Sequence, residues 1–262
     1  MPIGAQMFTL RDSCKTTDDI ARSLERVAKM GYDGIQASAA GFNTLDPDEV
    51  KAIKKALDDN GLKCGATHES LDNMRDQTEA VVEKHQILDC KLTAIGGMNF
   101  GEQATPEKWE QSIREFSEIA SKLAGHGLKV GYHNHNHEFA DTGDGRHAME
   151  MLMSQAGSDV WFELDTYWVA AGGGDPAEWI DRAASLGEGR IPAVHYKDMG
   201  VTVDRQPLML PVGLGNLNWT RINAACQAAG VEWYLVERDA GPHDPFEALE
   251  ISIQRMRDMG IK

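Results

Sequence analysis

A chain of 262 residues with 42% apolar side chains can bury one or two sizeable cores. Its 41 acidic and 26 basic residues leave a formal net charge of -15, with no basic patch, which argues against nucleic acid and other polyanions as partners. The four cysteines, Cys14, Cys64, Cys90 and Cys226, form no C-x-x-C pair, so a zinc ribbon or dithiol site is disfavoured and buried thiols in a reducing compartment are expected.

Ile3 to Leu10 reads as a first strand, and polar Arg11-Asp12 follow too early for a secretory signal. No run approaches the ~20 apolar residues of a membrane span, so the expected setting is cytoplasmic. Thr16 caps a helix with Asp18 and Asp19 in its first turn, an apolar stripe of Ile20, Leu24 and Val27, and Gly31 at its end. Gly34 to Ser38 is a second strand. Asp46-Pro47 opens a helix running through Val50, Ile53 and Leu57 to Gly61. Leu62 to His68 is strand three, and a helix spans about Leu71 to His85, with His85 expected on its surface. Lys91 to Ile95 is strand four. Thr105-Pro106 starts a long helix carrying Trp109, Ile113, Phe116, Ile119 and Leu123, and Gly127 stops it. Lys129 to about His133 is strand five. A helix from about His147 to Ser154 leads to strand six, Val160 to Asp165. Asp175-Pro176 begins the next helix, and Ile191 to Tyr196 is strand seven. Trp219 to Ala229 is helical, Val231 to Glu237 is strand eight, and Asp244-Pro245 opens a last helix with Phe246, Leu249, Ile253 and Met256.

Eight strands thus alternate with eight helices, without a Ser- or Pro-rich linker. Strict βα alternation implies a parallel sheet. At this length it favours an α/β fold of the closed (β/α)8 type, a TIM barrel forming a single domain over 1–262. No strand–Gly-x-Gly-x-x-Gly–helix unit supports a dinucleotide fold. A weak echo relates Gly61-Leu-Lys-Cys-Gly-Ala-Thr-His68 to Gly127-Leu-Lys-Val-Gly-Tyr-His133. The offset of one residue puts the two histidines on opposite faces unless one strand bulges.

Catalytic groups of such barrels sit at the C-terminal strand ends. Here those ends carry His68, His133 and His135, Asp165, His195 and Lys197, and Glu237. Charged and imidazole groups clustered there need a partner, because unpaired charge away from water is costly. A divalent cation is the simplest one, and carboxylates with imidazole suit Mn2+, Mg2+, Co2+ or Zn2+. Plainer readings stand beside this one. His137 and His147 read as hydrogen-bonded side chains. Glu163 either joins the site or forms a deeper ion pair with Lys or Arg, and Lys197-Asp198 could be a surface pair. Asp165, His195 and Glu237 each end an apolar run and precede a polar loop, which favours a functional role.

Six stretches together resemble the xylose isomerase-like superfamily of TIM-barrel sugar isomerases and epimerases, which includes inosose dehydratases and ketose 3-epimerases. They are Gln6 to Asp12, Gly131 to Phe139, Leu164 to Trp168, His195 to Asp198, Gly213-Leu-Gly215 with Trp219, and Val236 to Asp239. The resemblance spans nearly the whole chain. It implies one divalent metal, Mn2+ first with Zn2+, Co2+ or Mg2+ as alternatives. The implied ligands are Asp165, His195, Glu237 and a strand-five group. For that group Glu138 is the choice, with His133 close by or substituting. Leu214 departs from relatives, which often carry an acid there.

The resemblance also implies proton abstraction next to a carbonyl, with Glu237 and His135 moving the proton and Lys197 neutralising the oxyanion. Gln6, Arg11, His68, His133 and Trp168 are the expected contacts to a small carbohydrate. Epimerisation, isomerisation and dehydratase or lyase chemistry all follow from one enediolate. A sugar-binding barrel without catalysis is a further reading. An abasic-site endonuclease shares the fold, but it needs three zinc ions and a basic face. Homo-oligomers are common among such barrels, though no stretch marks an interface.

Overall fold

Seven strands follow one another around the sheet in the computed structural model, which describes residues 1–101 and 104–261. They are β1 (Ile3–Gln6), β2 (Gly34–Ala37), β3 (Lys63–His68), β4 (Leu92–Ile95), β5 (Lys129–His133), β6 (Val160–Asp165) and β7 (Ala193–Tyr196). A separate antiparallel hairpin, β8 (Asp198–Val201) and β9 (Pro207–Leu210), comes next. Then β10 (Trp233–Val236) pairs with both β7 and β1 and closes a parallel barrel. The α/β barrel read from the sequence is the architecture observed.

Among the described residues ten helices surround it: α1 (Thr17–Met30), α2 (Pro47–Asp59), α3 (Leu71–Asp76), α4 (Thr78–Leu88), α5 (Pro106–Ala124), α6 (Ala148–Gln155), α7 (Thr166–Ala171), α8 (Pro176–Ser185), α9 (Trp219–Ala228) and α10 (Pro245–Asp258). Their starts follow local chemistry. Thr16 and Asp19 form a capping box on α1. Asp46, Thr105, Asp175 and Asp244 cap α2, α5, α8 and α10, each with proline in the first turn. No described helix is long and apolar enough to cross a membrane.

The structure departs from the sequence reading at several points. The first strand ends at Gln6 rather than Leu10. The Gln6 side-chain oxygen accepts the Phe8 N–H at 2.5 Å and turns Met7–Ser13 into a 3-10 helix. The helix expected over 71–85 is two helices, broken at Gln77 (φ −128°, ψ 36°). Helix α7 was not anticipated. Its first turn is held by Asp165 Oδ1, which accepts the Trp168 N–H at 2.8 Å. His85 is buried, not on the surface. Its Nε2 lies 2.8 Å from Thr67 Oγ1 and its Nδ1 lies 2.7 Å from the Val81 carbonyl. All four cysteines are free and buried.

The echo between strands three and five is resolved by a bulge. Ile35 pairs with Cys64 but Gln36 with Ala66, leaving Gly65 as an extra residue in β3. His68 consequently turns inward, with its ring 5.2 Å from that of His133. Ala66, Leu92, Ala94, Trp161, Ala193 and Leu235, with Trp233 against them, form an apolar plug separate from the core between sheet and helices. A Cβ on Gly65 would strike Trp233, and one on Gly131 would strike Trp161. These two glycines make room for the indoles. The plug fills the base, so the inward residues nearer the strand ends form a polar mouth.

Candidate metal and substrate site

Residues two apart on a strand face the same way, so β6 aims both Glu163 and Asp165 into the barrel. Register places His133 beside Glu163 and His195 beside Asp165. Glu237 follows β10 on the same face as Leu235. Each of these five is at most 4% exposed. One ligand atom from each of His133, Asp165, His195 and Glu237 lies within 4.8 Å of the others. His195 Nδ1 is 3.0 Å from Glu237 Oε2 and 3.8 Å from Asp165 Oδ2.

Two buried atoms of this quartet, His133 Nδ1 and Asp165 Oδ2, have no hydrogen-bond partner among the described residues. Such atoms are costly unless something meets them. Burial, helped by the neighbouring His195, holds the His133 imidazole well below its usual range and therefore neutral, as a ligand must be. Burial would also lower His195, but Glu163 and Glu237 outweigh it and hold it well above the usual value. The acids thus favour positive charge at this point, whether on the ring or on a cation. Two imidazoles and two carboxylates form a donor set that fits a divalent cation.

Gln36 and Glu163 lie beneath. Gln36 Oε1 is 2.7 Å from His195 Nε2, and its Nε2 donates to Glu163 Oε1 at 2.7 Å. With His195 Nε2–H donating to Gln36, Nδ1 is the nitrogen facing Asp165 and Glu237. Glu163 Oε2 lies 2.6 Å from His68 Nε2. Burial would raise the Glu163 carboxyl, but His195 and His68 hold it down at about 2. Its close partners are therefore histidines and Gln36, not the Lys or Arg weighed from the sequence.

Lys197 and Asp198 are both fully buried and are not a surface pair. Lys197 Nζ is 2.6 Å from Asp239, 3.1 Å from Glu237 and 3.4 Å from Asp165. Burial alone would lower its pKa, yet these three carboxylates raise it, so the ammonium persists. The same lysine, with His195, keeps Glu237 ionised against its burial. Burial and Glu237 push Asp239 up to about 6. Asp198 points away and accepts N–H bonds from Met199, Gly213, Gly215, Leu217 and the Trp219 indole. Gly213-Leu-Gly215 is therefore a loop wrapped on a carboxylate, with Leu214 partly exposed at its tip.

Glu138 lies outside the quartet. Its Oε1 accepts the Tyr132 hydroxyl and its Oε2 the His135 N–H, both at 2.8 Å. It groups instead with His135 and His137, and His137 Nε2 reaches the Met98 carbonyl at 2.8 Å. His133 occupies the strand-five place. Burial pushes His135 down to about 4, and its buried Nδ1 has no partner among the described residues.

The mouth opens into a cavity of about 350 Å³. Gln6, Arg11, His68 and His133 line it, as do His135, Lys197 and Glu237. Trp168 does not. Its ring packs 5.2 Å from that of His135 and 5.1 Å from Lys197 Nζ. Arg11 is fixed by donating to the carbonyls of Phe8 and Asp239. The sequence reading passed over two members, Gln36 and Asp239. The available signals were a polar residue inside an apolar strand, and a carboxylate two positions beyond Glu237.

The family described as xylose isomerase-like TIM barrel matches residues 24–259. The rhizopine catabolism protein MocC of Rhizobium meliloti is 31% identical over 93 residues, 36% of this chain. That match spans only about a quarter of the relative's length, 26%. A sugar phosphate isomerase/epimerase from Parabacteroides distasonis is similar with a TM-score of 0.80 at 22% identity, covering 98% of this chain and 97% of that one. The probable 3-DHS dehydratase AsbF of Bacillus anthracis gives 0.74 at 12% identity, covering 98% and 99%. At these identities the structural likeness speaks for the fold alone.

Proposed function

Because the chain belongs to the xylose isomerase-like TIM barrel family, we propose that it is a divalent-metal-dependent sugar isomerase or epimerase that removes a proton next to a carbonyl. The observation that carries this reading is the convergence of His133, Asp165, His195 and Glu237 at the mouth, with two of their buried atoms accepting or donating no hydrogen bond among the described residues. These four residues would hold the cation, Mn2+ by preference, with Zn2+, Co2+ or Mg2+ as alternatives. When bound, it supplies Lewis-acid polarisation of a substrate carbonyl.

The chain's own groups do the rest. Glu237 and His135 line the same cavity, and in this reading they take and return the proton. Lys197, a persistent ammonium in that wall, offsets the charge developing on the enediolate oxygen. Gln6, Arg11 and His68 orient the sugar. Return of the proton to the opposite face epimerises, and return to the neighbouring carbon isomerises.

A second reading, a dehydratase or lyase acting on a keto-sugar, is favoured by the His68–Glu163 contact of 2.6 Å. That pair fixes another imidazole in the cavity wall, where the β-substituent of a bound keto-sugar would lie. The test is to incubate the protein with Mn2+ in D2O and ketoses, inososes or 3-keto-glycosides, following the products by NMR. Deuterium appearing beside the carbonyl is the expected result, and loss of a β-substituent would mark the second reading. If no candidate exchanges with any of the four metals, the catalytic proposal falls.

A further inference from the structure

We propose that the substrate is a neutral glycoside of two units, with the reacting sugar at the mouth and a second hydroxylated unit in an adjoining lobe over the ends of β2 and β3. The proposal rests on the reading of the mouth as the reacting site. A second cavity of about 430 Å³ lies there. It shares Phe8, Ser38, His68 and Gly96 with the first, so the two are lobes of one cleft. Each lobe is already within the usual size of a small-ligand site. A monosaccharide held at the mouth would leave the second lobe to water.

The chemistry of the far wall of that lobe disfavours an anionic group. Its far wall is made by Ala39, Asn43, Glu69, Ser70 and Asn73, and none of its described lining residues is Lys or Arg. The buried cation behind this wall, Lys84, is already committed to Glu69 and to the Phe42 carbonyl, both at 2.9 Å. Glu69 is also spent, since its other oxygen accepts from Asn73 Nδ2 and the Ser70 N–H. A phosphate or carboxylate placed there would meet a buried carboxylate without a free counter-charge.

Hydroxyl groups suit the same wall. Ser70 Oγ accepts the Asn73 N–H as a helix cap, which leaves its own proton to donate. Amide and hydroxyl side chains serve sugar hydroxyls as both donors and acceptors. Phe8 stands half-buried between the lobes, with Arg11 4.5 Å from its ring centre, and offers an aromatic surface for a pyranose ring. The rim is built at a cost. Ala39 adopts φ 65° and ψ 168°, a region nearly reserved for glycine, and Ala40 follows at φ 47°.

Calorimetric titration of the Mn2+-loaded protein tests this without requiring turnover. The probes are methyl glucoside, a panel of neutral disaccharides (sucrose, trehalose, cellobiose, maltose) and glucose 6-phosphate. At least one disaccharide is expected to bind tenfold or more tightly than methyl glucoside, with glucose 6-phosphate no tighter than methyl glucoside. Asn43→Trp, which fills the far lobe, should collapse the disaccharide advantage to less than threefold. Equal affinity for one- and two-unit sugars, or tightest binding of the phosphate, overturns the proposal, and the wild-type comparison decides this even if the variant fails to fold. Deuterium exchange on a monosaccharide without any disaccharide advantage would leave the proposed function standing and remove only the second subsite.

Discussion

His85 shows how one residue couples this fold to pH. It is sealed between α4 and the sheet, and burial pulls its pKa from 6.5 to about 4. Above 6.5 the ring is neutral in both folded and unfolded chains, and its contribution to stability is complete. As pH falls from 6.5 towards 4, the unfolded chain takes up a proton that the folded one refuses, so stability is lost across that window and levels off below it. The full difference is about 3 kcal/mol, of which about 2 kcal/mol should be gone by pH 5. Urea melts of wild type and His85→Gln at pH 7 and pH 5 should show the wild type losing about that much more than the variant. Equal losses would refute the assignment. Neighbouring residues differ in how readable they were. Asp165, His195 and Glu237 stood out because each ends an apolar run. Gln36 did not, because only the closed barrel brings β2 across to β6 and β7. The choice of Glu138 over His133 followed the resemblance, whereas in the structure the loop turns Glu138 onto Tyr132 and the His135 amide. His85 was misread because a histidine late in a helix looks solvent-facing until the threonines of β3 and β4 are known to lie beneath it.

Among the elements, those announced by a Pro-containing cap or an apolar run were legible and the others were not. Caps of the Asp-Pro and Thr-Pro type announced α2, α5, α8 and α10, and the strand cores followed from their apolar runs. The break at Gln77, the helix α7 and the β8–β9 hairpin carry no such signal: Asp165, which caps α7, reads first as the end of a strand. The hairpin and the loop after it are organised by Asp198. Its two oxygens accept five N–H groups, and the absent Cβ of Gly215 is what lets that backbone approach. Asp198→Ala would leave these donors buried or force the loop open. The expected cost is about 3–5 kcal/mol by denaturant unfolding, with earlier proteolytic cleavage between Met199 and Asn216. Asp198→Asn keeps the shape but turns one acceptor into a donor facing N–H groups, so it should fall between the two. A loss below about 1 kcal/mol for Asp198→Ala would mean the loop is held by something else.

At the scale of the whole barrel, shape and the charged mouth at the strand ends were readable from alternation, length and the residues ending the apolar runs, but the apolar plug that divides the base from that mouth was not. That division decides how the protein should respond to cations. Three carboxylates, Asp165, Glu237 and Asp239, crowd one buried ammonium at the mouth, and a fourth, Glu163, lies against His195. The molecule as a whole carries -15. Both the local and the global field favour taking up a divalent ion. A ligand that binds only the folded chain stabilises it by about 2.7 kcal/mol at a hundred times its dissociation constant. For a domain of this size that corresponds to a rise in Tm of roughly 5–10 °C. Thermal unfolding in saturating Mn2+ against excess EDTA should show this rise, and Asp165→Asn should erase most of it while the EDTA baseline moves much less. Asn keeps the oxygen that caps α7, so the variant separates loss of the ion from loss of the helix start. Identical melting in EDTA and in each of Mn2+, Co2+, Zn2+ and Mg2+ would show that the quartet holds no metal. The crowding of acids around Lys197 would then have to be read as an internal salt-bridge network.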